Sequence, residues 1–506
     1  MKMAIKTNLY IGLAMMALSY GCTSSRKTIR QDAATEPYRP GYHFTPKAHW
    51  MNDPNGMVYL NGTYHLFFQY NPDSTIWGPM HWAHAISKDM IHWEEQPIAL
   101  YPDSLGTIFS GSAVIDKDNT AGFGKDAMVA IFTHHNKKIE DQKTGLHQNQ
   151  SLAYSLDEGK TWTKYAGNPV LPNPGIWDFR DPKVMWHGAT GKWIMALATK
   201  DRITFYSSPN LKKWIKESEF GEKLGAHGGV WECPDLFPLE LNGKTYWVLL
   251  VSNAGGPNGG SATQYFTGNF DGKTFVPNSV QQKWMDYGTD NYAGVTFSNT
   301  GKRKTLIGWM NNWNYANVVP TGAWRGATTI PRDLTLNKIG DELYLASNPI
   351  PELMGMEKVV DERNGLTGVD SLNLSANLKK GNGLKIEIQI ESPGDFRLEL
   401  GDGDGQKLIV GYQQNTGYFS DRTKAGRSDF ERGFAKRHNA PRISTAAQKK
   451  LTVYIDAASV ELFADNGITA MTDVFFPVHP NNTLQLIGAQ KLNISMVRVS
   501  TVGSVH

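Results

Sequence analysis

The sequence has only two cysteines in 506 residues, Cys22 and Cys233. With Cys22 near the N-terminus, one cysteine is left in the body of the chain, which excludes an intramolecular disulfide and any zinc site built from cysteine pairs. Charged residues are also scarce, at 20%, and the formal net charge is +3. A chain without a strong basic excess or a basic run is poorly suited to nucleic acid, so we predict no nucleic-acid partner.

Aromatic residues and glycine are plentiful, with 15 Trp, 20 Tyr, 21 Phe and 50 Gly. This composition favours a β-rich protein with many turns and aromatic surfaces, and it excludes a disordered chain. Because 506 residues exceed what one ordinary core accommodates, we expect two domains.

The N-terminus is predicted to be an export signal. Lys2 and Lys6 precede an apolar run over residues 9–18, which is too short for a stable membrane span. Cys22 follows a small residue, and residues 1–21 therefore resemble a bacterial lipoprotein signal peptide. We expect export, lipidation of Cys22, a tether over residues 22–37, and membrane contact through that lipid only. The alternative is plain secretion with Cys22 removed.

Five sequence units resemble one another between residues 38 and 345. Each has a strand that begins with polar residues, then a strongly apolar strand, and the first four end in a polar turn followed by an aromatic residue. Helical periodicity is almost absent, so this region predicts a five-bladed β-propeller rather than the runner-up, a pair of β-sandwiches. The first strand of each blade would line a central channel. The predicted first strands cover residues 53–60, 110–116, 181–187, 233–241 and 292–298.

The pattern changes after the fifth unit. Residues 346–360 read as a linker that contains a short helix, and residues 361–506 alternate apolar and polar side chains. Alternation predicts strands with one buried face, so we expect a C-terminal β-sandwich and an all-β fold class.

Acidic residues lie at the starts of four predicted inner strands: Asp53, Asp181, Glu232 and Asp290. The propeller would bring them to one mouth of the channel. Glu232 is flanked by Trp231 and Cys233, and an apolar setting would favour its protonated form, as a general acid requires. Enzymes that cleave glycosidic bonds usually use two catalytic carboxyl groups. A lectin-like binding propeller and a calcium-binding acidic funnel are the alternatives.

Three motifs in order, WMNDPNG (50–56), FRDP (179–182) and WECPDLF (231–237), resemble glycoside hydrolase family 32. This family contains the invertases, inulinases and levanases. The resemblance implies a five-bladed propeller with a β-sandwich. It also implies that Asp53 is the nucleophile, Glu232 the acid/base and Asp181 the transition-state stabiliser. It implies no metal or cofactor. The positions that it assigns to substrate binding are Asn52, Gln69, Trp77, Ser110, Arg180, Asp290 and Trp313.

The implied reaction is hydrolysis of β-fructans with retention of configuration, through a covalent fructosyl-enzyme and with a bell-shaped pH–rate profile. We expect exo-action, with fructose released from levan, inulin or sucrose. The alternatives are an endo-levanase or endo-inulinase, a transfructosylase and a non-catalytic fructan-binding propeller. The sequence gives no oligomeric state.

Overall fold

The computed structural model describes residue 36 and residues 38–378, 383–391 and 394–505. The signal peptide, Cys22 and, apart from Glu36, the tether lie outside these residues. In the described ranges the helices are one α-helix, Lys137–Glu140, and two 3₁₀ helices, Pro351–Met356 and Ser375–Asn377. None of the helices in the described part of the chain is long and apolar enough to span a membrane. The fold is otherwise built from β-strands, as predicted.

The propeller has five antiparallel blades, each of which we number in chain order. Blade 1 contains His49–Leu60, Thr63–Asn71, His81–Ser87 and Trp93–Leu100. Blade 2 contains Thr107–Asp116, Ala127–His135, Gln148–Ser155 and Thr163–Lys164. Blade 3 contains Phe179–His187, Lys192–Thr199, Arg202–Ser208 and Ile215–Phe220. Blade 4 contains Glu232–Leu241, Lys244–Asn253, Ala262–Phe270, Phe275–Pro277 and Lys283–Trp284. Blade 5 contains Tyr292–Thr296, Thr305–Trp309, Arg332–Ile339 and Glu342–Pro349.

A short strand closes the ring of blades. Trp324–Arg325 follows the second strand of blade 5 but pairs in parallel with the inner strand of blade 1. The chain thus returns from the last blade to the first, which ties the two ends of the propeller together.

The sequence repeat has a hydrogen-bonding explanation. In the outer turn of blade 1, Asp89 accepts backbone N–H groups from Ile91 and His92, and the indole of Trp93 donates to the Met90 carbonyl. Blades 2 and 3 repeat this arrangement, with Asp157 or Asn210 as the acceptor and Trp162 or Trp214 as the donor. Polar side chains that bond their own turn are favoured there, which is why the motif recurs.

The C-terminal domain is a two-layered β-sandwich whose layers share one long, bent strand, Thr483–Val502. The first half of this strand pairs with Phe396–Gly401, and the second half pairs with Gly383–Ile390. The other strands are Glu357–Asn373, Lys407–Gln413, Gly417–Lys424, Arg437–Ala440, Lys449–Ile455, Ser459–Ala464 and Thr469–Val474.

The predicted linker over residues 346–360 is too long. Strand Glu342–Pro349 completes blade 5, and strand Glu357–Asn373 already belongs to the sandwich. Only residues 350–356 connect the domains, and the 3₁₀ helix Pro351–Met356 fills that connection. Pro349 ends its strand as the last paired residue, so the proline marks the end of a strand and not the start of a linker.

Buried ion pairs join the propeller to the sandwich. Arg332 of blade 5 lies between Asp286, at 2.8 Å, and Glu461 of the sandwich. His43 contacts Asp456 at 2.8 Å and Glu461 at 2.7 Å, and these carboxylates raise the pKa of His43 to about 9, although its burial acts in the opposite direction. The two domains therefore meet through specific charged contacts as well as apolar packing.

Candidate active site

The inner strand of every blade carries a β-bulge near one mouth of the channel. At each bulge the register with the neighbouring strand slips between two paired residues, as between Met51 and Pro54 in blade 1. The equivalent slips lie at Ile108/Gly111, Arg180/Lys183, Glu232/Asp235 and Tyr292/Val295. A bulge turns side chains away from the regular sheet positions and is frequent beside active sites. The fivefold repeat of bulges brings the candidate residues to one place.

Three residues at these bulges have left-handed backbone conformations. The φ angles are 61° at Asp181, 44° at Cys233 and 53° at Ala293. Such angles are uncommon for residues other than glycine and cost free energy, which the surrounding structure must offset. Strain concentrated at equivalent points of three blades fits a site whose side chains are held in fixed positions.

Asp53 accepts hydrogen bonds from two polar side chains, one of which is fixed by a third. Ser110 donates a hydrogen bond of 2.7 Å to one carboxylate oxygen, and Asn52 donates one of 2.9 Å to the other. The indole of Trp50 in turn donates to Asn52 Oδ1 at 2.7 Å and fixes that amide. Burial raises the pKa of Asp53, the hydrogen bond from Ser110 opposes it, and the charge of Glu232 raises it further. Asp53 is thus oriented as a nucleophile must be.

Asp181 lies close to Asp53, as shown by the thiol of Cys233, which contacts both carboxylates. Cys233 Sγ is 3.5 Å from Asp53 Oδ2 and 3.6 Å from Asp181 Oδ2, and the Cys233 backbone N–H donates to Asp181 at 3.0 Å. Burial is the main cause that raises the pKa of Asp181 to about 7, and the charges of Glu232 and Asp53 add to it although Arg180 opposes it.

Glu232 has a more polar environment than the sequence predicted. Its Oε1 accepts from Arg180 at 2.9 Å, and its Oε2 accepts from the hydroxyl of Tyr292. Arg180 is itself held by Asp178 at 2.6 Å. The Trp231 indole is fully buried in the apolar core between blades 3 and 4, and its N–H donates to the backbone carbonyl of Ala226.

The other predicted binding residues surround this cluster. Gln69 is buried opposite the bulge of blade 1. Its side-chain N–H₂ group has no hydrogen-bond partner among the residues that the structure describes. Trp313 is half-buried and stacks on Trp50 with ring centres 6.0 Å apart. Trp77 lies further out, is 43% exposed, and packs edge-on against Phe109.

Asp290 is not at the site, contrary to the prediction. Its carboxylate accepts hydrogen bonds from Arg422 at 2.7 Å, Tyr315 at 2.5 Å and the Val474 backbone at 2.9 Å. Arg422 and Val474 belong to the sandwich. Asp290 precedes the inner strand of blade 5, but it is fully buried against the neighbouring domain, where its charge is needed by Arg422.

Replacing Asp290 with asparagine should therefore affect stability and leave substrate affinity unchanged. Breaking a buried ion pair costs about 3–5 kcal/mol, because the partner is left uncompensated. We expect thermal unfolding at a lower temperature than for Asp341→Asn, which changes an exposed carboxylate of the same blade, together with an unaltered KM. A raised KM at unchanged stability would return Asp290 to the binding site.

Sequence reasoning missed Tyr292 as a partner of the acid/base candidate. Tyr292 is the first residue of the inner strand of blade 5, so its position was predictable from the repeat although its role was not. It also missed Thr133, whose hydroxyl accepts the Asp181 backbone N–H at 3.1 Å. Thr133 lies on the second strand of blade 2, where no sequence signal marks it.

The raised pKa of Asp181 predicts a dependence of stability on pH. A carboxyl whose pKa rises from 3.8 to about 7 on folding disfavours the folded state as pH increases through that interval. Asp181→Asn removes this penalty. Below pH 3.8 we expect the melting temperature of this variant to match that of the unsubstituted protein. Between pH 3.8 and about pH 7 the melting temperature of the variant should exceed that of the unsubstituted protein by an increasing amount. A difference that is constant with pH would contradict the assigned pKa.

The cluster can carry out acid and nucleophilic chemistry on one bond. It contains an oriented carboxylate, a second carboxyl that contacts an arginine and a tyrosine, and a third, buried carboxyl that contacts the same thiol as the first. Such a set at the mouth of a propeller defines a glycoside hydrolase site.

The chain belongs to glycosyl hydrolase family 32. Residues 43–349 match the N-terminal domain of that family and residues 356–501 match its C-terminal domain. A levanase of Bacillus subtilis (strain 168) is 47% identical over 473 residues, covering 90% of this chain and 68% of that protein. An extracellular exo-inulinase of Aspergillus niger is 39% identical, covering 87% of this chain and 90% of that protein. The crystal structure of the exo-inulinase from Aspergillus awamori superposes with a TM-score of 0.83 at 35% identity, covering 94% of this chain and all of that one.

Proposed function

We propose that this protein is an exo-acting β-fructosidase that releases fructose from the ends of β-fructans and retains configuration. The proposal rests on one observation: Asp53 and Glu232, at one mouth of the channel, have different hydrogen-bond partners. Asp53 is fixed by Ser110 and Asn52, whereas Glu232 is in contact with Tyr292 and Arg180. Hydrogen bonds to both of its oxygens orient Asp53 for attack, and contacts to both of its oxygens orient Glu232, so each carboxyl group is held for one role.

In the first step, protonated Glu232 gives its proton to the leaving oxygen. Asp53 attacks C2 of the terminal fructosyl unit, so the C2–O bond to the leaving sugar breaks as the bond to Asp53 forms. Tyr292 and Arg180 hold Glu232 in place. Ser110 and Asn52 keep the attacking oxygens aligned, which removes the need to order them during reaction.

In the second step, Glu232 acts as base and takes a proton from water. The water oxygen attacks C2 from the side that the leaving sugar vacated, and Asp53 departs as a carboxylate, so configuration is retained. Asp181 stabilises the positive charge that develops on the sugar ring, through hydroxyl groups that it binds more strongly in the transition state.

The exo mode rests on the wall of the mouth and on the relatives. The Trp77 backbone N–H donates to the Asn317 side chain at 2.9 Å. This bond joins the loop between the second and third strands of blade 1 to the long loop that follows the second strand of blade 5. A wall on that side favours a pocket for one terminal unit over an open cleft. Two of the relatives are named exo-inulinases and one a levanase, so inulin and levan are the substrates to test first.

A time course of products tests this proposal. The purified protein is incubated separately with levan, inulin and sucrose, and early products are separated by anion-exchange chromatography. Fructose as the sole early product from a polymer is the expected result. A ladder of short oligosaccharides would indicate an endo-acting enzyme instead. Transfer products that accumulate at high sucrose would indicate a transfructosylase.

We further propose that the protein is exported and anchored to a bacterial membrane by lipid on Cys22. The apolar run over residues 9–18 followed by Cys22 supports this proposal. Cells that express the full chain are fed a labelled fatty acid and then fractionated. We expect label on the protein and recovery with membranes, and loss of both in Cys22→Ala. Unlabelled, fully soluble protein from the unsubstituted chain would favour plain secretion.

A further inference from the structure

Five aromatic rings form a continuous row along one side of the catalytic mouth. From blade 1 to blade 3 the row contains Trp77, Phe109, His135, His147 and Trp177, and we call it the aromatic arc. The centres of successive rings are 6.2, 4.3, 5.3 and 4.6 Å apart. These spacings are close to those of aromatic rings in favourable contact, so the arc is a packed unit.

The aromatic arc lies at the catalytic end of the propeller. Trp77 is in the loop that joins the second and third strands of blade 1, and His147 directly precedes the third strand of blade 2. Trp177 lies two residues before Phe179, where the inner strand of blade 3 begins. Because neighbouring strands of a blade are antiparallel, these three points lie at the end where the inner strands begin.

The two ends of the aromatic arc are its exposed members. Trp77 is 43% and Trp177 39% exposed, whereas His135 and His147 are buried. The His147 ring contacts the Trp177 ring at 4.6 Å between centres, with 58° between their planes. The buried imidazole therefore supports the exposed indole, and Trp177 offers solvent an apolar surface that is held in place.

The Trp177 end of the arc lies on the side of the acid/base. The next residue in the chain, Asp178, accepts a hydrogen bond of 2.6 Å from Arg180. Arg180 in turn donates to Glu232 Oε1 at 2.9 Å. Trp177 is thus connected to the acid/base through two side chains, and the Arg180 side chain lies between them.

The other end of the arc lies on the side of the nucleophile. Phe109, against which Trp77 packs edge-on, directly precedes Ser110 in the chain. The Ser110 hydroxyl donates to Asp53 at 2.7 Å. Trp77 is therefore near the fructosyl unit that Asp53 attacks, whereas Trp177 is near the group that leaves.

The leaving part of the substrate emerges on the side of Glu232, because Glu232 protonates the oxygen that joins this part to the fructosyl unit. With sucrose the leaving part is one glucose unit, and with a fructan it is the rest of the chain. The Arg180 side chain separates Glu232 from Trp177, which gives the first leaving unit room before the chain reaches the indole. An exposed indole offers an apolar face on which a later sugar ring packs.

We propose that Trp177 determines chain-length specificity: the leaving part of a fructan stacks on it beyond the first leaving unit, which favours fructan chains over sucrose. The inference rests on the proposed function, since the reaction fixes the side on which the chain leaves. The leaving part of sucrose is too short to reach Trp177, and that of a longer chain is not. The contribution of Trp177 to substrate binding therefore depends on the number of sugar units.

Steady-state kinetics with leaving parts of increasing length test the proposal. The substrates are sucrose and the inulin-type and levan-type oligosaccharides of three to five units. In the series that is hydrolysed faster, Trp177→Ala should raise KM for the oligosaccharides at least about fivefold at an unchanged kcat, and leave KM for sucrose within about twofold of normal. Trp177→Phe keeps an aromatic ring and should hold every KM within about twofold.

Trp186→Ala is the matched control, because Trp186 lies on the inner strand of the same blade and is 40% exposed. Trp186 follows Asp181 by five residues, toward the opposite mouth of the channel, and its replacement should leave every KM within about twofold of normal. An equal rise in KM for sucrose and the oligosaccharides in Trp177→Ala would show that Trp177 shapes the fructose pocket instead. Unchanged KM values would show that the chain leaves elsewhere. Either result overturns the inference.

Binding without turnover separates this inference from the proposed function. Asp53→Asn protein is titrated in a calorimeter with sucrose and with the tetrasaccharide of each series. We expect one tetrasaccharide to bind more tightly than sucrose, and adding Trp177→Ala to abolish the difference. Equal binding of sucrose and both tetrasaccharides, or a difference that survives Trp177→Ala, would overturn the role of Trp177 even if hydrolysis is normal. A difference that Trp177→Ala abolishes, without hydrolysis by the unsubstituted protein, would support that role and refute the activity.

Discussion

Replacing Asp53 with asparagine is expected to lower kcat on sucrose and fructans at least about 1,000-fold. An amide has nearly the shape of the carboxylate but cannot form the ester bond to C2. The amide oxygen can still accept from Asn52, and the amide N–H₂ can donate to the Ser110 hydroxyl, which is able to accept, so the fold and the substrate pocket should persist. The measurement is initial-rate kinetics, with circular dichroism and thermal unfolding as checks that the variant is folded.

The matched control is Asp341→Asn, which makes the same chemical change at an exposed position of blade 5. It should keep the normal kcat and KM. If Asp53→Asn turned over substrate at a near-normal rate, the nucleophile would have to be another carboxylate, and Asp181 would be the candidate because it contacts the same thiol.

Replacing Glu232 with glutamine should have an effect that depends on the leaving group. With sucrose, kcat should fall about 1,000-fold, because the leaving oxygen must then depart without a proton. With β-fructofuranosyl fluoride the first step should survive, since fluoride needs no acid. Water then attacks slowly without its base, so the fructosyl-enzyme accumulates and a burst of fluoride precedes a slow steady rate. Added azide should restore turnover and give the β-configured fructosyl azide.

Glu240→Gln is the control for this experiment, because Glu240 is an exposed residue of the same inner strand. It should behave like the unsubstituted protein with both substrates. Equal losses on sucrose and the fluoride for Glu232→Gln, without rescue by azide, would show that Glu232 positions the site and does not transfer a proton.

Much of the fold could be predicted from the sequence because the blades share a short sequence pattern. The apolar strand, the polar turn residue and the aromatic that follows recur, and the turn contacts of Asp89 and Trp93 show why. Once a propeller was inferred, the starts of its inner strands had to meet. That geometric step is sufficient to bring Asp53, Asp181 and Glu232 together from positions up to 179 residues apart.

The direction in which each side chain faces could not be predicted in the same way. Asp290 and Asp53 both lie near the start of an inner strand. Asp290 nevertheless faces the interface between the domains, whereas Asp53 faces the active site. Arg422, the partner of Asp290, is 132 residues away in the sequence and belongs to the sandwich. A local sequence pattern does not predict how two domains pack against each other. Arg180, in contrast, was predicted at the site from its motif, and the structure adds its contact with Glu232 of the neighbouring blade.

Trapping the covalent intermediate is the decisive test of Asp53 as the nucleophile. Glu232→Gln protein is mixed with β-fructofuranosyl fluoride, denatured at the end of the burst, digested and analysed by mass spectrometry. We expect a fructosyl group on the peptide that contains Asp53, and no such group when Asp53→Asn is added. A fructosyl group on the peptide that contains Asp181, or a burst without any labelled peptide, would contradict the assignment of Asp53 as the nucleophile.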